Sequence, residues 1–77
     1  MTTRYPGFED ARARAERAYR RRCYRRGWIY DAPSPDLTTW HWGQNGSVII
    51  TLRNAYRTLA VYRLAPGRRV MPLGLPR

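Results

Sequence analysis

The 77-residue sequence contains no lysine and few acidic residues. All fifteen basic residues are arginine, against five Asp and Glu, and the formal net charge is +10. Codon bias in a GC-rich genome explains the absence of lysine at least as well as a functional preference for arginine does. Codon bias does not explain the excess of basic over acidic residues. Arginine offers a planar, permanently charged fork that fits phosphate and carboxylate groups. This balance predicts attraction to a polyanion: nucleic acid, an acidic protein surface or an anionic membrane.

The chain is also poor in metal-binding and disulfide-forming residues, with one cysteine, Cys23, and one histidine, His41. No intrachain disulfide can form, and two ligands are too few for a four-coordinate zinc site. We therefore expect no metal and no cofactor, and we expect Cys23 to be a small buried hydrophobic residue. A core this small usually needs further support, which leaves binding to a partner or homo-oligomerisation.

Long apolar runs are absent as well. The first residues, Met1 to Pro6, lack the apolar stretch of a secretory signal, and no later segment approaches a membrane-spanning length. We therefore expect a cytoplasmic protein without membrane insertion. An unpaired cysteine is consistent with a reducing compartment.

The sequence is poor in catalytic motifs. It has no Gly-rich phosphate loop, no paired-carboxylate motif and no nucleophile with a base at a known spacing. His41 is the one side chain suited to proton transfer at neutral pH, and a single histidine between Trp40 and Trp42 is more often structural. We expect a non-catalytic binding protein with no small-molecule substrate.

One enzyme hypothesis stays open, a small basic ribonuclease. In it His41, with Arg53 or Arg57 nearby, would attack and stabilise a phosphate. The segment Tyr56 to Arg63 is similar to the terminal hairpin of RelE-type toxins in a few common residue types. No family is assigned on that similarity.

The segment from Phe8 to Arg26 has no Pro or Gly, is rich in Ala and Arg, and is followed by Gly27, which predicts a helix with a glycine C-cap. At 100° per residue its apolar residues share one stripe. That stripe consists of Phe8, Ala11, Ala15, Ala18, Tyr19 and Cys23. The opposite side, here named the arginine face, consists of Arg14, Arg17, Arg20, Arg21 and Arg25. The alanine-rich stripe is poorly suited to membrane binding, because a helix on a membrane surface usually buries Leu, Phe or Trp side chains.

After Gly27 the pattern changes to period two with β-favouring residues. The predicted strands are Trp28 to Asp31, Thr38 to Trp42, Ser47 to Arg53 and Thr58 to Leu64. We predict an α+β fold, with one N-terminal amphipathic helix packed on a small antiparallel sheet of three or four strands (α-β-β-β-β). The predicted domain spans residues 5–65. Residues 66–77 are predicted to be an extended or disordered tail, with docking in a partner's groove as an alternative.

Turn length decides which way the two strand tryptophans point. A three-residue turn at Gln44 to Gly46, with Gly46 left-handed, pairs Trp42 with Val48 and Trp40 with Ile50. Both indole rings then face the helix, which is the arrangement we favour because a small core needs their bulk. An even-numbered loop would instead place both on the outer face as an aromatic platform.

The next hairpin is predicted to close through a two-residue loop, Asn54 and Ala55, or through a four-residue loop with the same facing. The two-residue loop places Ile50 opposite Leu59, Val48 opposite Val61 and Thr51 opposite Thr58, and the four-residue loop keeps the same residues on each face. A helix over Leu52 to Leu64 fits the spacing less consistently.

The leading functional hypothesis is binding of nucleic acid, RNA or DNA, by the arginine face. The candidate binding residues are Arg14, Arg17, Arg20, Arg21, Arg25, Arg22, Arg26, Arg53 and Arg57. Trp40 and Trp42 are candidates for stacking on bases if they prove exposed. The alternative is an accessory, assembly or inhibitory subunit that docks its arginine face on an acidic surface of a larger protein complex.

Overall fold

The computed structural model describes residues 7–65 and 70–74. It contains one helix followed by a four-stranded antiparallel sheet, so the predicted α-β-β-β-β class is confirmed. The elements are α1 (Phe8–Arg26), β1 (Thr39–Trp42), β2 (Val48–Arg53), β3 (Thr58–Leu64) and β4 (Val70–Gly74). Each strand pairs with the next along the chain, so β1 and β4 form the two edges.

The helix has the limits that the sequence predicts. It ends at Gly27, whose φ of 70° is left-handed, and the N–H of Trp28 donates to the carbonyl of Cys23 at 2.9 Å. This glycine cap provides hydrogen bonds to carbonyls that the last turn would leave without partners. Acidic residues occupy the first turn and arginines the last, which is the arrangement that the helix dipole favours.

The core lies between α1 and the inner face of β2, β3 and β4. From the helix it contains Phe8, Ala11, Ala15, Tyr19 and Cys23, and from the sheet Val48, Ile50, Leu52, Leu59, Ala60, Tyr62 and Leu64. Because the middle of the helix stripe is alanine, the helix backbone can approach the sheet closely. Full burial of each larger aliphatic or aromatic side chain stabilises the fold by about 1.5–3 kcal/mol.

The prediction of a strand at Trp28 to Asp31 is wrong. The alternation that suggested it is present, since Trp28 and Tyr30 are half-buried against the core while Ile29 is exposed. The segment instead belongs to the connection between α1 and β1. Further along this connection, the N–H of Ser34 donates to the carbonyl of Arg53 at the end of β2.

The fourth strand comes from the segment that was predicted to be a tail. β4 pairs with β3, placing Val70 opposite Leu64 and Pro72 opposite Tyr62, so the sheet extends beyond residue 65. A proline lacks the donor that an inner strand needs, but an edge strand tolerates it. Residues 5 and 6, and the rest of the predicted tail at 66–69 and 75–77, lie outside the described residues.

The hairpin between β2 and β3 has the four-residue loop but not the predicted pairs. Ile50 lies opposite Tyr62, and the register shifts between Leu52 and Arg53. This β-bulge inserts Leu59 as an extra residue, so Ala60, Tyr62 and Leu64 join the core. Strict alternation fails at a bulge, so Leu59 is in the core as predicted, whereas Val61, which was also predicted on the inner face, is only half-buried.

The hairpin between β1 and β2 has the predicted register, with Trp40 opposite Ile50 and Trp42 opposite Val48. Asn45 and Gly46 both adopt left-handed conformations, with φ of 57° and 73°. Trp40 packs partly buried against the core, but Trp42 is 59% exposed, so burial of both is a wrong prediction. The helix packs chiefly on β2, β3 and β4, which leaves the end of β1 without a cover.

Candidate functional site

Two arginines outside the arginine face have acidic partners. Arg12 pairs with Glu9, at 2.9 Å, and with Glu16, at helical spacings that bring these side chains together. The hydrogen bond that Arg12 donates to Glu9 raises the pKa of Arg12, partial burial opposes this effect, and Glu16 adds to it. Arg57 pairs with Asp31. Three of the five acids therefore pair with arginines that are not members of the arginine face, and one of these pairs, Arg12 with Glu16, lines a groove that it shares with Arg17 and Arg20.

The arginine face itself is accessible and carries little compensating charge. Arg14 is half-buried, and its other four members are exposed. Within residues 7–65 and 70–74, no ion pair joins Arg17, Arg20, Arg21 or Arg25 to an acid. Residues three and four apart on a helix are neighbours, so these guanidinium groups form one region of concentrated positive charge.

Three shallow grooves lie along this region, and two of them connect it with elements beside the helix. One, of about 250 Å³, separates α1 from Tyr30, and another, of about 200 Å³, separates it from Val70 of β4. A third, of about 290 Å³, lies on the helix itself and is lined by Arg20, Arg21, Tyr24 and Arg25. Arg17, Arg20 and Arg21 each line two of the three grooves, so the surface is continuous.

Aromatic side chains hold two of the helix arginines in place. The guanidinium of Arg20 lies over the ring of Tyr30 at 5.0 Å, and that of Arg26 lies over Trp28 at 5.7 Å. Such cation–π contacts contribute about 0.5–1 kcal/mol at exposed sites. Tyr30 in turn packs against the buried ring of Tyr19 at 5.7 Å. Arg20 is thus connected to the core through two aromatic rings, which limits its freedom before any ligand binds.

Tyr24 is the surface residue that the sequence analysis did not select. Its side chain is 88% exposed, and it shares a groove with Arg20, Arg21 and Arg25. The available signal was its position, one helical turn after Arg20 and Arg21 and therefore beside them on the helix surface. A side chain this exposed contributes little to folding, so the ring is available for binding.

The remaining predicted binding residues are distributed unequally. Arg26 is exposed at the helix end, whereas Arg22 is half-buried and its Nε has no hydrogen-bond partner among the described residues. Arg53 and Arg57 lie at the β2–β3 hairpin and line none of the three grooves. Trp42 is accessible for stacking, and its ring contacts Trp40 edge to face at 5.3 Å between centroids.

His41 is not placed next to either arginine of the ribonuclease hypothesis. It lies exposed on β1 opposite Ile49, four residues along β2 from Arg53. At the rise of a β-strand this separates the backbone positions of Ile49 and Arg53 by about 13 Å. Among the described residues no cluster of three His, Cys, Asp or Glu side chains could hold a metal ion.

In the part of the chain that the structure describes, no helix combines the length and the apolar content that crossing a membrane requires. No protein-family model, curated protein or solved structure matches this chain.

Proposed function

We propose that this protein binds nucleic acid through the arginine face of α1. The observation that carries the proposal is the set of four exposed arginines, from Arg17 to Arg25, with no acidic partner in the described part of the chain. They span about 12 Å along a helix axis. Because the helix is packed on a sheet, these arginines contact a polyanion together at a small ordering cost.

The expected contacts are with phosphate groups. A guanidinium binds phosphate oxygens with two parallel hydrogen bonds, and each phosphate contact releases condensed counterions. Phosphate contacts position a protein on nucleic acid without reading its sequence. We therefore expect binding that depends strongly on salt and weakly on sequence, for RNA as for DNA.

A second candidate is an accessory or inhibitory subunit that docks on an acidic surface of a protein complex. The observation that favours it is the exposure of Ile29, at 81%, near the C-terminal end of the helix, because apolar side chains contribute to the centre of protein interfaces. Recovery of one stoichiometric protein after nuclease treatment of a native lysate, with no affinity for oligonucleotides, would favour this candidate.

The test compares two double variants with equal changes in net charge. Arg17→Glu with Arg21→Glu alters the arginine face, and Arg53→Glu with Arg57→Glu alters the β2–β3 hairpin. Affinity for a labelled 20-nucleotide oligomer is measured by fluorescence anisotropy over a range of salt concentrations. We expect the helix variant to flatten the slope of log affinity against log salt by about two units and the hairpin variant to leave it nearly unchanged.

Circular dichroism verifies that both double variants are folded. A folded helix variant with unchanged affinity and salt dependence would remove the arginine face from the interface. Equal losses in the two variants would show that the overall positive field, and not this surface, causes binding.

A further inference from the structure

Three aromatic rings lie next to arginines along α1, and one of them is open. Arg20 covers Tyr30, and Arg26 lies over Trp28. In the part of the chain that is described, neither a guanidinium nor another ring stacks on Tyr24, whose side chain is 88% exposed. The ring of Tyr24 is therefore open to solvent within a groove lined by arginines, and it contributes little to the core.

We propose that Tyr24 stacks on an unpaired base, so that the arginine face selects single-stranded over double-stranded nucleic acid. This inference rests on the proposed function and names its substrate class. Every base has a π-face, so stacking on an aromatic side chain tolerates any sequence.

The geometry around Tyr24 suits a base together with its own backbone. The groove that contains the ring is lined by Arg20, Arg21 and Arg25, and no acid lines it. Arg20 and Arg21 lie one turn before Tyr24, while Arg25 follows it directly. A base stacked on the ring therefore brings its flanking phosphates among guanidinium groups on either side along the helix.

A duplex cannot use this ring in the same way. Within a double helix each base face is covered by its neighbours, and the backbone presents mainly phosphates. The arginines can contact those phosphates, but Tyr24 gains nothing unless a base leaves the stack, which costs a few kcal/mol. The arginines thus attract single strands and duplexes alike, whereas the exposed ring of Tyr24 adds affinity only for a single strand.

The chain offers a matched control for this residue. Tyr56 is 91% exposed, but it lies in the loop between β2 and β3, where Arg57 is paired with Asp31. Tyr24→Ala and Tyr56→Ala remove the same exposed side chain from the two locations. Tyr24→Phe keeps the ring and removes only the hydroxyl group.

The experiment measures the affinity of each variant for a labelled 12-nucleotide single strand and for a 12-base-pair duplex, each over a range of salt concentrations. We expect Tyr24→Ala to bind the single strand about 5- to 150-fold more weakly, which is the value of one stacked base, and the duplex with unchanged affinity. Tyr24→Phe and Tyr56→Ala should behave as the wild-type protein. The salt slope should be unchanged in all of them, because no phosphate contact is lost.

An abasic oligomer makes the test reciprocal, because it keeps the phosphates and removes the bases. Wild-type protein should bind it as weakly as Tyr24→Ala binds the ordinary strand, and Tyr24→Ala should bind both strands equally. If Tyr24→Ala weakens single strand and duplex alike, or if Tyr56→Ala has the same effect, the stacking proposal is overturned. Wild-type protein that binds neither probe would instead overturn the proposed function itself.

Discussion

The two faces of α1 differ in almost every physical property, although they alternate along the same 19 residues. The buried face is made of alanine, Phe8, Tyr19 and Cys23, and its largest side chains are at most 1% exposed. The arginine face lies in water and repeats like charges at neighbouring positions. The buried face forms the core against the sheet, while the arginine face opposes helix formation slightly by mutual repulsion. A face that costs stability and remains accessible is the candidate binding surface of this helix.

The largest effect is expected when the bulkiest side chain of the buried face, Tyr19, is removed. Tyr19 is fully buried and contacts both the core and Tyr30. Tyr19→Ala should lower the free energy of unfolding by about 3–5 kcal/mol, because a large ring leaves a cavity. Urea denaturation measures the change. Arg17→Ala, on the other face, should change it by less than about 0.5 kcal/mol. Similar losses in the two variants would abolish the distinction between the faces.

A smaller effect is expected where the helix ends. Gly27 has a φ of 70° and open space around the position of an added Cβ, so Gly27→Ala introduces conformational strain but no steric clash. We expect Gly27→Ala to lower the free energy of unfolding by about 1 kcal/mol. Gly27→Asn should lose less, since asparagine tolerates the left-handed region. Thermal unfolding of the two variants in parallel decides this, and equal losses would contradict the strain argument.

Tyr62 lies on β3, in the core beneath the buried face of the helix, and its phenol makes the free energy of unfolding depend on pH. Burial raises the pKa of the Tyr62 phenol, and the charges of Arg22, Arg25 and Arg21 partly oppose this effect. The Tyr62 hydroxyl is buried without a hydrogen-bond partner among the described residues, so Tyr62→Phe should be at least as stable at neutral pH.

The sign of the pH effect follows from the raised pKa. The unfolded state ionises first, at pH about 10, so the contribution of neutral Tyr62 is complete below that pH and is lost as pH rises through the folded-state pKa. The stability advantage of Tyr62→Phe should therefore grow above pH 10. Denaturation curves at pH 7, 10 and 11 measure it, and a constant difference would show that Tyr62 is not desolvated.

The smallest expected effect is an increase in the free energy of unfolding. Arg21 has like charges four residues away on both sides, at Arg17 and Arg25, and each such pair destabilises a helix by about 0.2–0.5 kcal/mol. Arg21→Gln keeps a good helix-forming residue and should raise stability by about 0.5 kcal/mol at low salt, while it weakens binding. In 1 M salt the gain in unfolding free energy should disappear. A loss of stability at low salt would mean that Arg21 supports the fold.

Local signals in the sequence predicted the features that depend on a few adjacent residues. The helix from Phe8 to Arg26, its cap at Gly27 and the left-handed Gly46 follow from short-range chemistry, and the structure has all of them. The burial of the helix stripe follows from its period. The arginine face was equally visible, because charge and helical spacing are both properties of the sequence alone.

Features that depend on distant partners were not predicted. Val70–Gly74 contains a proline and a glycine, and it becomes a strand because β3 offers a free edge to pair with. The segment from Trp28 to Asp31 alternates like a strand but packs its aromatic residues beside the helix instead. The bulge at Leu59 and the exposure of Trp42 also depend on where the helix lies over the sheet.

The burial of Cys23 provides an intrinsic kinetic probe. It is the one thiol of the chain and is 1% exposed, so a thiol reagent reaches it only when the last turns of α1 detach from the sheet. The labelling rate therefore reports local opening without any engineered label. A ligand held by the arginine face should slow that labelling, because it binds the helix in its docked form.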